Sequence, residues 1–150
     1  MKVENYKDSK DALRALTSQL MDYMARKEDQ KPFNLALSGG ETAKKMFALW
    51  ADEYKDKVDW DNLRFFWVDE RCVAPTDPDS NFGHANRLLF EPLQIPRDHI
   101  HRIHGEVEPG TEAMRYSRIV KEYLPRHGQF PYFDCIILGI GGDSHTASIF

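Results

Sequence analysis

Cysteine is scarce: Cys72 and Cys135 are the only two in 150 residues, too few for the disulfide framework of a small secreted domain. No run of about 18 apolar residues occurs, so nothing reads as a membrane-spanning helix. The opening MKVENYKDSK is polar and lacks an apolar stretch, so no secretory leader is read there. Charge of one sign is not concentrated either: 20 Lys and Arg against 24 Asp and Glu leave a formal net charge of -4. With no basic run or stripe, nucleic acid is not an expected partner. Internal repeats, low-complexity tracts and linker-like segments are missing as well. Together these absences describe a soluble, cytoplasmic chain with no membrane contact. Its length suits one domain with a real core.

What is present is alternation. Leu13, Leu16, Leu20 and Met24 recur every three or four positions, which predicts a helix over residues 9–26. Phe33 to Leu37 is a short apolar run ended by Gly39-Gly40 and predicts a buried strand. Helical spacing returns from Thr42 to Trp50. NLRFFWVDER, rich in aromatic and β-branched residues, predicts a second strand. A Pro- and Asp-rich loop follows, then a helix over NFGHANRLLFEPL that should stop near Pro92. HIHRIHG reads as a short third strand. Pro109 can open a further helix with Met114, Tyr116, Ile119, Val120 and Tyr123 on its apolar side. FDCIILGIGG closes the pattern as a fourth strand, with Cys135 as a small core residue. The order α-β-α-β-α-β-α-β predicts a single α/β domain over residues 1–150. Its fold is doubly wound and Rossmann-like, a mainly parallel sheet with helices on both faces.

Ligands of such sheets bind beyond the carboxyl ends of the strands. Three strand ends carry unusual residues. In LSGGET, Ser38, Gly39, Gly40 and Thr42 stand where a strand turns into a helix. Backbone N–H groups, hydroxyls and the helix N-terminus there suit a phosphate. An ordinary turn with Thr42 as helix cap is the plainer alternative, and no P-loop spacing is present. In WVDER, Asp69 can orient a neighbour and Arg71 can clamp a phosphate or an oxyanion bidentately, or the two form a local ion pair. In GGDSHTAS, His145 can act as a general base near neutral pH, with Asp143 two residues before it. Thr146 and Ser148 can cap a following helix.

Other chemistries meet obstacles in the sequence. A dinucleotide fingerprint begins at Gly139 and Gly141 but has Ser144 in place of its third glycine. A serine-hydrolase elbow around Ser144 has Thr146 in place of its final glycine. His99, His101 and His104 could share a strand face and hold zinc, though no Cys lies nearby and a polar edge strand explains them equally well.

LSGGET, WVDERCVAPTDPDSN and ILGIGGDSHTASIF together resemble the signature segments of the 6-phosphogluconolactonase family, which shares its fold with glucosamine-6-phosphate deaminase. The resemblance runs from about Phe33 to Phe150. The deaminase branch usually has T-G-S-T-P, D-E-Y and G-H-I-A-F-N-E-P at these places, so the sequence sides with the lactonases. It departs from their pattern at Ala43, where a proline is usual, and at Ser144, where a glycine is usual. The resemblance implies hydrolysis of a phosphosugar lactone, 6-phospho-D-glucono-1,5-lactone, in the oxidative pentose phosphate pathway. It implies His145 as general base, Asp143 orienting it and Arg71 stabilising negative charge. Ser38, Gly39, Gly40 and Thr42 would hold the phosphate, and Asp69 and Asn81 would complete the pocket. Neither metal nor organic cofactor is implied, and no oligomeric state. It further implies that the chain is the N-terminal part of a longer single-domain enzyme, whose remainder supplies more sheet, more helices and a basic residue for the phosphate. A deaminase-like enzyme and a non-catalytic phosphosugar binder are the alternatives.

Overall fold

The computed structural model describes residues 2–27, 31–142 and 145–149. Among these the strands are β1 (Phe33–Leu37), β2 (Leu63–Trp67), β3 (Ile100–His101), β4 (Arg126–His127), β5 (Phe130–Pro131) and β6 (Cys135–Ile136). The helices are α1 (Ser9–Ala25), α2 (Glu41–Glu53), α3 (Asn81–Ala85), α4 (Glu91–Leu93) and α5 (Pro109–Tyr123). The main sheet has the order β3-β2-β1-β6, and every pairing in it is parallel. β4 and β5 form a separate antiparallel hairpin, which the sequence reading did not anticipate.

The strands alternate between two apolar layers. Phe33, Leu35 and Leu37 of β1 and Leu63, Phe65 and Trp67 of β2 join Leu13, Leu20, Met46, Phe47, Trp50, Leu89 and Phe90 on one face, under α1, α2 and the α3–α4 region. Ala36 and Phe66 point the other way, against Tyr116, Ile119 and Val120 of α5 and against Leu124 and Phe133. Helices therefore cover both faces, as the alternating pattern predicts. Buried aromatic and aliphatic side chains of this size contribute ~1.5–3 kcal/mol each, so the β1–β2 pair and its two coats carry most of the stability. No described helix is long and apolar enough to cross a membrane.

Each helix start has a visible cause. Asp8 caps α1 by accepting the Asp11 N–H at 2.9 Å. Glu108 caps α5 by accepting from the N–H groups of Gly110 and Thr111 at 2.7 and 2.6 Å, with Pro109 at the first helical position. α2 differs. Its cap position is Gly40, at φ 98°, and no side chain bonds there. Thr42 lies inside the first turn, so the Thr42 cap reading does not hold.

The helix from Asn81 ends near Pro92, as the sequence predicts. It passes through a π-helical turn, Asn86–Phe90, and ends at Leu93, where Gln94 takes a left-handed conformation with φ 55°. Pro92 stands in its last turn. Other expectations need correction. Met114 does not join the apolar side of α5; it is 60 % exposed. The fourth strand is shorter than its apolar run: only Cys135–Ile136 pairs with β1, extended by the Ile137 N–H donating to the Ala36 carbonyl at 2.9 Å. Ile136, Leu138 and Ile140 are exposed, Ile140 by 81 %, so this run is not buried on both faces. Cys135 is half-buried and packs against the larger core.

The histidine cluster also takes a different form. His99 ends a 3-10 turn and only His101 lies in β3, so the three histidines do not line one strand face. Among the described residues no group of His, Cys, Asp or Glu is placed to hold a metal ion. His101 stacks on Phe66 and lies against Tyr123. Burial, aided by Arg64 and His99, pushes its pKa down to about 4, against the smaller opposing effect of Asp98. The unfolded chain therefore binds a proton at His101 before the folded one does. Its contribution is fully present above about pH 6.5 and is lost as pH falls toward 4. Chemical denaturation across that range should show a steeper loss of stability for the wild-type sequence than for His101→Gln.

Candidate active site

The carboxyl ends of β1, β2 and β6 lie side by side, because β1 sits between the other two. The loops leaving them enclose a cleft of about 650 Å³. Ser38, Gly39, Gly40 and Thr42 line it from the β1 end, Asp69 and Arg71 from the β2 end, Asn81 from the start of α3, and His145 from the segment after β6. The site residues that the family resemblance implies thus line one cleft, except Asp143, which lies outside the described residues. Leu138, Gly139, Ile140 and Gly141 form the remaining wall on the β6 side.

A chain of contacts holds the three loops together. The Ser38 hydroxyl donates to the Ile137 carbonyl at 3.0 Å, fastening the end of β1 to the end of β6. Gly39 lies directly against Asn81: a Cβ at position 39 would come within 1.7 Å of the Asn81 Oδ1. Asn81 is buried and its Nδ2 donates to the Asp69 carbonyl at 3.3 Å and to Asp69 Oδ1 at 3.4 Å. Asp69 Oδ2 accepts from the Ser148 hydroxyl at 2.9 Å. That bond ties β2 to the segment carrying His145. Thr146 and Ser148 therefore do not cap a helix in the described residues: Thr146 bridges to Ile149 and Ser148 reaches Asp69. His145 is half-buried, and its carbonyl accepts from the Gly141 N–H at 2.8 Å.

Two features bring positive potential to the cleft wall. The first N–H groups of α2 point out of the helix, because its ladder starts with the Lys44 N–H donating to Gly40. Among the described residues no side chain caps them, and with Gly40, Glu41 and Thr42 at the wall they can face a negatively charged group, favoured there by the helix dipole. Arg71 adds a guanidinium to the same cleft. Glu41 is drawn aside by an ion pair with Lys44, which also holds its carboxyl below the usual range. The sequence reading missed the part played by Ser148. A hydroxyl three residues after the candidate base is a visible signal, but only the sheet order shows that it faces Asp69.

Comparison with known proteins identifies the family. The family model for glucosamine-6-phosphate isomerases/6-phosphogluconolactonase matches residues 7–150, and the chain belongs to that family. It is 44% identical over 150 residues to the 6-phosphogluconolactonase of Treponema pallidum, covering 100% of this chain and 61% of that protein. It is 40% identical over 147 residues to the 6-phosphogluconolactonase of Haemophilus influenzae, covering 97% of this chain and 62% of that protein. The crystal structure of a devB protein superposes with a TM-score of 0.89 at 40% identity, over 98% of this chain and 61% of that one. The chain thus spans about three fifths of the length of these relatives.

Proposed function

We propose that this chain is the N-terminal part of a longer single-domain enzyme that hydrolyses 6-phospho-D-glucono-1,5-lactone to 6-phospho-D-gluconate, the lactone-opening step of the oxidative pentose phosphate pathway. The observation that carries the reading is the single cleft that brings His145 and Arg71 together with the open N-terminus of α2. The names of the relatives support the reaction class. Their greater length, and the exposed Ile136, Leu138, Ile140 and Ile149 beside the cleft, support a larger whole.

The chemistry asks for few parts. Water attacks the lactone carbonyl carbon while His145 takes one of its protons, and the carbonyl oxygen becomes an oxyanion. The tetrahedral intermediate then collapses. The bond to the ring oxygen breaks, and the protonated His145 returns its proton to that oxygen as it leaves. Asp143 orients the imidazole in this scheme, and Arg71 stabilises negative charge on the oxyanion or the phosphate. The 6-phosphate lies at the first N–H groups of α2, with Ser38, Gly39, Gly40 and Thr42 around it and Asp69 and Asn81 shaping the sugar side. The Ser38 hydroxyl proton is already committed to Ile137, so Ser38 acts chiefly by holding the loop.

Arg71 gives the clearest local test. Its side chain is exposed within the cleft and carries no packing burden. Arg71→Ala should leave the thermal midpoint nearly unchanged and lower kcat/KM by roughly 10²-fold, the loss typical of one charge-stabilising group. Steady-state kinetics on the phosphorylated lactone read this directly; unchanged kcat/KM would remove Arg71 from the site.

A further inference from the structure

We propose that Glu70 is a positioning residue for this site, acting through Arg71 and Asn81; the inference rests on the lactonase reading above. Glu70 is not part of the cleft wall. Its side chain reaches to the start of α3, where it gathers four donors. Oε1 accepts from the N–H groups of Arg71 and Asn81, both at 2.7 Å. Oε2 accepts from the Phe82 N–H at 2.8 Å and from the Ser80 hydroxyl at 3.2 Å. Ser80 in turn accepts from the Gly83 N–H at 2.9 Å.

The consequence is a closed loop with a cleft residue at each end. Arg71 opens the Pro- and Asp-rich loop, and Asn81 follows its last residue. One carboxylate holds the backbone of both. The contrast with α2 is instructive. Among the described residues no side chain caps the start of α2, whereas the first N–H groups of α3 are closed by Glu70 and Ser80. The carboxylate decides where Asn81 sits, and Asn81 fills the space under Gly39 and holds Asp69.

A carboxylate suits this place because it accepts at both oxygens and donates at neither. Glu70→Gln keeps the shape but turns one oxygen into an NH₂ that faces two donors, losing their bonds. Glu70→Asp keeps the acceptors on a shorter arm that serves one pair of donors. In the full-length protein, Glu70→Gln should raise KM for the phosphorylated lactone about 10- to 100-fold, since small misplacements of binding groups have effects of this size. kcat should move much less, because His145 stands on another loop. Glu70→Asp should fall between wild type and Glu70→Gln.

A double-mutant cycle with Asn81→Ala separates positioning from general stability. With Asn81 gone, Glu70→Gln should add less than about three-fold to KM, because coupled groups are not additive. The same variants are titrated with 6-phosphogluconate by calorimetry, where the dissociation constants should follow KM. KM and affinity unchanged in folded Glu70→Gln, or effects that simply multiply with those of Asn81→Ala, would overturn the inference. A wild-type protein that binds 6-phosphogluconate without opening the lactone would instead sink the lactonase reading, and the binding series alone would then decide Glu70. A wild-type protein that does neither would sink both.

Discussion

His145→Ala is expected to lower kcat for lactone opening by about 10²- to 10⁴-fold, the usual worth of a positioned general base, while leaving KM within a few-fold of wild type. The split follows from where His145 sits. It reaches the cleft from the segment after β6, away from the β1 and α2 groups proposed to hold the phosphate. Its main-chain carbonyl makes the turn contact with Gly141, and alanine keeps that contact. Thermal unfolding of both proteins checks that the variant is folded. A variant that kept wild-type kcat would show that the proton goes elsewhere.

Gly39→Ala is expected to be nearly as damaging, for a steric reason. The new Cβ would stand 1.7 Å from Asn81 Oδ1 and 2.3 Å from its Cγ. Asn81 is buried and bonded to Asp69, so it moves only by giving up those bonds. Overpacking of this kind costs ~1–3 kcal/mol. The displaced Asn81 and Asp69 should lower kcat/KM by about 10²-fold, since a 1 Å error in a reacting site has that effect. The double variant Gly39→Ala/Asn81→Ala tests the cause. Removing the Asn81 amide should restore much of the lost thermal stability, giving a strongly non-additive cycle. A Gly39→Ala protein with wild-type stability and kcat/KM would mean that the two loops do not pack as described.

Much of this was legible before any coordinates. β1 and β2 announced themselves as short apolar runs closed by glycines or acids, because parallel strands buried on both faces have no polar alternation to hide them. The expectation that three strand ends share a crevice also held, since it follows from parallel topology rather than from any single motif. Less legible were the places where tertiary contacts decide. The β4–β5 hairpin has two residues per strand, too few for any periodicity to register. CIILGI reads as a fully buried strand, yet Ile136, Leu138 and Ile140 face outward, because burial of an edge strand depends on what lies beyond it. The Glu70 clamp was invisible for another reason. Its donors at Asn81 and Phe82 are 11 and 12 residues away, and a loop brings them back without local pattern. Nor does any local pattern show that Gly39 packs against Asn81.

The most direct test is hydrolysis of the phosphorylated lactone by the full-length protein. The substrate is generated in situ and spontaneous ring opening is subtracted, beside a coupled ammonia assay on glucosamine 6-phosphate. Rapid lactone opening that disappears in His145→Ala, with no ammonia released, is the expected result. Opening no faster than background by a folded full-length protein, or release of ammonia, would contradict it.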